Sequence, residues 1–485
     1  MKKRISEKTR FEKICEAGLT ALAVLTGVYH LAVMLCAYVF DSTKSASPWL
    51  AADRYTVLVF FVLALLYIPV KAFAFPERRK ELSRFFKNAF GGDRLWPVLL
   101  LLWAVIGCIA MKGRTDDFFT FMRDGLARRY LTENAFLIND KFLMDLAVCA
   151  LILFPLPALL GKYRRAVCEG ILHLFTAGCA LFMITVLIPY FGGRVVNAPG
   201  GQIGVNTKGN MVIACNSNTT GAFSALFLIL SLYFVTSPRA LPVRVLYAVS
   251  AVIQLAALGL SGSRASLLAS ACAAGVIAFR AVYGLKKLQD KTLSRRLLIS
   301  VPAGLLAAGL VLLSRDLIRD LYVAVTGFSF VSDKAAGLSG RLRLWGNCLQ
   351  ATFANASNAV FGVTPGFVEH AIGIVRNNPD NVLYAHNQFL QVLLAFGLPG
   401  LAIFCVWLYK TAVRCVRVGL KKACYALPAA VLLLVVSNLA ESYLTAYFYF
   451  CGGMFFLIAG FVAAEDADAE RTRLRETKGK HIAKR

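Results

Sequence analysis

Three short stretches of this 485-residue chain combine side chains that bind anions or move protons. The first is Leu260-Ser261-Gly262-Ser263-Arg264-Ala265-Ser266, a tight polar break between two apolar runs. Ser263 is a natural helix N-cap, which puts Arg264 in the first turn of the next helix. The second is Ser339-Gly340-Arg341-Leu342-Arg343-Leu344-Trp345. Here Ser339 can cap a helix whose first turn bears Arg341, with Trp345 on the same face four residues later. The third is Tyr384-Ala385-His386-Asn387-Gln388-Phe389-Leu390-Gln391, where His386 stands at the entry to an apolar run. A helix start exposes unpaired N–H groups and the positive end of the dipole, and so attracts anions. An arginine fork pairs two phosphate oxygens at once. A neutral imidazole accepts a proton from a hydroxyl nucleophile. Brought together, the three stretches would form a diphosphate site with a base beside it. Plainer readings exist for each: a snorkelling arginine, an amphipathic surface helix and a structural histidine.

The elements that must position these residues are membrane helices. Hydrophobic residues make up 58% of the chain and charged residues 16%, and the mean hydropathy is +0.63. A soluble chain is nearer half apolar and a quarter charged. This excludes a cytosolic globular enzyme, a disordered scaffold and a secreted disulfide framework. About twelve apolar segments are long enough to span a bilayer. They fall at 17–40, 55–75, 95–111, 142–160, 166–190, 219–236, 243–261, 264–283, 297–314, 387–409, 424–440 and 445–464. The expected fold is an all-α polytopic membrane protein.

Charge sets the expected orientation. The net charge is +26. With a cytoplasmic N-terminus, roughly two thirds of the Lys and Arg fall on the inside, so both termini are expected in the cytoplasm. The organisation is then an N-tail (1–16), helices 1–9 (17–314), an extracytoplasmic loop (315–385), helices 10–12 (386–464) and a C-tail (465–485). Clusters such as Arg78-Arg79-Lys80 read as topology anchors and contacts to the lipid bilayer. Nucleic acid is not an expected partner. The 315–385 loop is nearly neutral and carries amphipathic helical patterns, so its arginines are not a generic basic patch. The other long outside segment, near 191–220, is rich in Gly and Asn and is expected to be irregular.

No Cys-x-x-Cys pair or His/Cys cluster has metal-ligand spacing, so no metal or cofactor is expected. Of the 13 cysteines, only Cys215 and Cys348 lie in the long outside segments, where a disulfide and two free thiols are both open. Asp145, Glu169 and Glu441 are acids near or inside spans, with no specific role read for them.

The order and spacing of the three stretches resemble the O-antigen ligase and O-antigen polymerase superfamily. Ser261-Gly262-Ser263-Arg264 resembles its Ser-x-Ser-Arg hairpin, and Arg341 with Trp345 its large-loop pair. Phe361-Gly362-Val363-Thr364-Pro365-Gly366 is similar to its Gly-rich stretch. His386-Asn387-Gln388-Phe389-Leu390 and Gly397-Leu398-Pro399-Gly400 match a His-Asn-x-x-Leu helix start and a Gly-Leu-x-Gly turn. The resemblance covers about residues 240–410. It implies a GT-C-like inverting glycosyltransferase of a bacterial cytoplasmic (inner) membrane, working on the outer face without metal. The implied donor is a polyprenyl-diphosphate-linked glycan, and the implied acceptor a glycan or glycolipid. Arg264 and Arg341 would bind the diphosphate, with Arg343 as the alternative to Arg341 and Ser263 beside them. His386 would act at the acceptor. Asn387, Gln388, Trp345, Glu369 and His370 are secondary candidates. A transporter or flippase is the competing reading, although transporters usually place charged sites near mid-membrane in broken helices.

Overall fold

The computed structural model describes residues 95–111, 139, 142–143, 145–147, 149–159, 164–198, 201–206, 209–213, 217–236, 239–283, 337–368, 371–372, 385–422, 426–439, 441–442 and 452–467. The spans expected at 17–40, 55–75 and 297–314 lie outside them. The helices are α1 (Trp96–Met111), α2 (Arg164–Phe191), α3 (Ser217–Thr236), α4 (Leu241–Ser261), α5 (Arg264–Tyr283), α6 (Gly337–Thr352), α7 (Ala356–Phe361), α8 (Gln388–Lys422) and α9 (Ala426–Ser437). A further helix, α10, runs over 452–467. Among the described residues, Cys168–Phe191, Ser217–Thr236, Leu241–Ser261 and Gln388–Val418 are long and apolar enough to cross a membrane.

The polarity of α4 shows which solvent the bundle expects. Its outward face carries Leu241, Val245, Leu246, Val249, Val252 and Leu255, all exposed. Its inward face carries Tyr247, Ser250, Gln254 and Ser261, all buried. Such an apolar outer stripe would be costly in water and is ordinary against lipid tails. The inward serine at 250 is satisfied by Ser231 of α3, Oγ to Oγ at 2.8 Å.

The glycine-rich segment after α2 departs from expectation. It forms a three-stranded antiparallel sheet, ordered β1 (Val195–Ala198), β2 (Gly201–Val205), β3 (Met211–Val212). The fold is therefore mostly helical rather than all-α. Short β-branched runs, Val195-Val196 and Ile203-Gly204-Val205, alternate here with turn residues, and such punctuation makes hairpins. The sheet is tied to both neighbouring helices. The Tyr190 hydroxyl donates to the Gly209 carbonyl at 3.2 Å, and the Ile213 N–H donates to Thr220 Oγ1 at 2.8 Å.

The segment expected as one span at 142–160 is broken. It contains a π-helical turn at Cys149–Leu153 and a short helix at Leu156–Leu159.

Helix α8 is two helices joined at Gly397, whose φ of 67° is left-handed. Pro399 has no N–H, so the carbonyl four residues earlier, at Ala395, loses its helical donor. The break at Gly397 likewise frees the carbonyls of Leu394 and Phe396. Buried carbonyls need partners, and these three have them. Val363 N–H donates to Leu394 O at 2.8 Å and Thr364 N–H to Ala395 O at 3.1 Å. The Trp103 indole donates to Phe396 O at 2.8 Å. The glycine-rich stretch 361–366 and the Gly-Leu-Pro-Gly turn are thus one docking joint. Buried Asn139 locks the joint from the other side, donating to Thr364 Oγ1 at 3.0 Å and accepting from Gly366 N–H at 2.7 Å.

A Cβ at Gly397 would run into the Val360 carbonyl. Gly397→Ala should therefore destabilise the protein, by about 1–3 kcal/mol from a backbone conformation that is essentially glycine-only and more from the clash. A fall in apparent melting temperature in detergent or nanodiscs checks this. Gly346 is exposed, helical and has open space around it. In the same assay, Gly346→Ala should be neutral or slightly stabilising.

Candidate functional site

The three sequence stretches begin or precede three helices. Asn139 meets Thr364 beside the α8 kink. The Phe154 ring meets Trp407 further down α8, with centroids 6.2 Å apart. The chain therefore descends along α8, and α2 returns. The ties from α2 to the sheet, and from the sheet to α3, then put the starts of α3, α5 and α8 at one end of the bundle. The Glu169–Arg239 and Arg417–Asp466 ion pairs, at 3.0 and 3.4 Å, mark the other.

At the α4–α5 hairpin, Gly262 caps α4 in the left-handed conformation. Ser261 Oγ donates to Leu258 O at 2.7 Å and accepts from Ser263 N–H at 3.2 Å. Ser263 stands just before α5, as expected of an N-cap, and its hydroxyl donates to Ser266 Oγ at 2.9 Å. The hairpin sits directly on α3 at Gly221, where a Cβ would meet Ser261 Oγ at 2.9 Å and Ser263 Oγ at 3.0 Å. Buried serines and a bare glycine thus hold the turn, and Arg264 projects from it, exposed. No described residue forms a hydrogen bond or ion pair with its side chain.

Helix α6 starts at Gly337, two residues before Ser339, so Arg341 lies in its second turn rather than its first. Helix α6 packs against α8. Its half-buried Trp345 donates its indole N–H to Ala385 O at 3.1 Å. Arg343 is part of α6, and its side chain lies outside the described residues, as do Glu369 and His370.

Ahead of α8 the backbone is held on every side. Ala385 N–H donates to Gln391 Oε1 at 3.2 Å. Asn387 is the cap: its Oδ1 accepts from Phe389 N–H at 3.0 Å and Leu390 N–H at 3.1 Å. Its Nδ2 donates to Leu439 O at 3.0 Å, and Gln388 N–H donates to Asn438 O at 2.9 Å. Gln388 itself is fully buried. The structure gives Trp345, Asn387 and Gln388 the task of fixing this turn. Between the fixed points His386 adopts φ 46°, a left-handed conformation uncommon outside glycine and seen at functional positions.

Two of the expected site residues meet through a third that had no assigned role. Glu441, beyond the end of α9, is 2% exposed. One of its oxygens, Oε1, accepts from Arg341 Nη2 at 3.0 Å. The other, Oε2, lies 3.0 Å from His386 Nδ1. Arg264 lies at the same end of the bundle without a direct link to this cluster.

A sequence model of the O-antigen ligase family matches residues 249–405. That stretch, about a third of the chain's length, is similar to the O-antigen ligase family. It contains Arg264, Arg341, His386 and the α8 joint, and it ends before Glu441. The family is one of polysaccharide ligation and polymerisation, and the multiple apolar helices accord with a multi-pass membrane protein. No curated protein matches the chain.

Glu441 is the site residue that sequence reasoning missed as such. It stands 55 positions from His386 and in no recognisable motif. The available signal was topological: the turn between the last two expected spans falls on the same side as the three stretches. Among the described residues, no cluster of His, Cys, Asp or Glu is arranged to hold a metal. Glu169, the other acid given no role, pairs with Arg239 at the far end.

Cys348 in α6 is buried and free, and burial pushes its thiol up to about 12. It therefore stays protonated near neutrality, and thiolate is the reactive form. At pH 8 an alkylating reagent should leave Cys348 unmodified in the folded protein and modify it after denaturation, as read by peptide mass spectrometry. Asn387→Ala should cost about 0.5–2 kcal/mol through the lost cap. Asn387→Asp, which keeps the accepting oxygen, should cost less in the same thermal assay.

Proposed function

We propose that the protein is an inverting membrane glycosyltransferase that moves a glycan from a polyprenyl-diphosphate carrier to an acceptor hydroxyl on the outer face of the cytoplasmic membrane. The observation that carries this reading is the meeting of Arg341 and His386 on one buried carboxylate, inside or beside the segment similar to the O-antigen ligase family. An anion-binding fork and a proton acceptor at one site are what transfer from a lipid diphosphate requires.

In this reading the acceptor oxygen attacks the anomeric carbon, and the bond from that carbon to the phosphate oxygen breaks. Polyprenyl diphosphate leaves with the electron pair. Arg264 and Arg341 stabilise the charge that develops on it. The proton of the acceptor hydroxyl passes to His386. One displacement inverts the anomeric configuration. Arg264 suits the donor because it is exposed at the first position of α5, where the dipole adds to its charge. The substrate is energised before it arrives, so the chain's own residues need only bind, orient and take a proton. The acceptor is a glycan or glycolipid, and ligation and polymerisation share this chemistry.

Single Arg264→Ala, Arg341→Ala and His386→Ala variants test the reading. Each should lower transfer from extracted lipid-linked glycan by about 10²-fold or more at equal protein level. The donor KM should rise in the arginine variants. Full activity in Arg264→Ala or His386→Ala contradicts the mechanism. Movement of the lipid-linked glycan across liposomes without a covalent product would establish a flippase instead.

A further inference from the structure

The sheet after α2 ends on an edge that no described residue covers. Its order is β1-β2-β3. Strand β3 packs against α3 and α4, and β2 packs on α2, so β1 is the outermost strand. It pairs with β2 on one side only. In an antiparallel pair, every second residue turns its N–H and C=O away from the neighbouring strand. On the outer side of β1 those groups meet no hydrogen-bond partner among the described residues.

A bare edge is a template for another strand, and proteins commonly block it with a charge, a proline or a bulge. Strand β1 is Val195-Val196-Asn197-Ala198. It carries no charge and no proline, and both valines are exposed. Arg194 and Pro199 flank it in sequence, so the free edge is short and its register bounded. It is also held firmly to the end of α2. Gly193 N–H donates to Tyr190 O at 3.0 Å, and Arg194 N–H donates to Pro189 O at 2.9 Å.

A short strand pair is marginal alone, so a partner for β1 needs an adjoining surface. That surface is the outward face of α2. Leu174, Ala177, Leu181, Ile184, Ile188 and Phe191 follow one another at alternating spacings of three and four, the pattern of a helix seam. Ala177 is half-exposed and the others are exposed. Lipid covers such a stripe as readily as protein does, so the stripe alone selects no occupant. The strand edge selects one, because lipid tails offer no hydrogen bonds. A second copy of the chain in the same membrane presents the same edge and the same stripe, with α2 parallel to its counterpart. Identical patches of this kind are self-complementary in a two-fold pair.

We propose that the protein forms a two-fold homodimer through the outward face of α2 and the free edge of β1, with the two β1 strands paired edge to edge. The interface lies outside the segment that the family model matches. It is independent of the transfer chemistry above.

The test counts copies of the full, fluorescently labelled chain in liposomes by single-molecule photobleaching. Two copies per spot should persist at protein densities where chance co-occupancy is negligible. Val195→Lys and Val196→Lys each set a charge against its own copy across the edge, and each should weaken dimerisation about tenfold or more. Both positions are exposed, so the melting temperature of the monomer should hold. The double variant Leu181→Ala, Ile188→Ala should weaken the dimer through the seam. Hydrogen exchange at the β1 amides should be slow in the dimer and fast in the Val196→Lys monomer. A chain that stays single at every density overturns the proposal, and lipid and water then cover this surface. So does a dimer that neither lysine variant weakens, or one whose β1 amides exchange fast. Should one lysine variant fail to fold, the other and the α2 double variant carry the same test.

Discussion

Burying a carboxylate costs several kcal/mol unless cations and donors surround it, and Glu441 sets the geometry of its end of the bundle through that requirement. Its two oxygens reach side chains from α6 and from the turn before α8, each at 3.0 Å. The three segments concerned are far apart in sequence, and none is a continuous wall for the others. Removing either partner leaves one of the two buried oxygens without its donor. The left-handed backbone at His386 belongs to the same arrangement. It is a conformation that a chain adopts only where its surroundings over-determine it, and four flanking hydrogen bonds do so here.

Beneath that cluster a second joint keeps α8 in place. Helix breaks inside a membrane are tolerated only where protein re-satisfies the freed backbone groups. The break at Gly397–Pro399 frees three carbonyls, and Val363, Thr364 and Trp103 donate to them. The short first half of α8 is consequently held from the side by the polypeptide that leads out of α7. His386 sits two residues before that half-helix begins, so the joint fixes the level at which the imidazole stands. Two glycine-containing motifs that carry no chemistry of their own act together as the mount for a residue that does.

Much of the scaffold was legible in the sequence because the bilayer makes the code coarse. The runs expected at 219–236, 243–261 and 264–283 correspond to Ser217–Thr236, Leu241–Ser261 and Arg264–Tyr283. A span of some 20 apolar residues with polar ends leaves little choice of boundary. The hairpin at Ser261–Arg264 was legible for a similar reason, since a cap and a glycine punctuate two such runs. What failed was local polarity read without tertiary context. Ser339 read as a cap, yet it lies inside α6. The glycine- and asparagine-rich stretch after α2 read as irregular coil, yet its described residues form a three-stranded sheet. Arg341 and His386 were visible by type and by predicted side. Their shared partner was not, because pairing across 100 and 55 residues leaves no periodic trace.

The most direct test is a structure of the full chain in a lipid nanodisc with a polyprenyl diphosphate bound. The phosphate oxygens should lie within hydrogen-bonding distance of both Arg264 and Arg341. His386 should still face Glu441 through Nδ1. A diphosphate held at the opposite end of the bundle, or held here without contact to either arginine, would contradict the site described above.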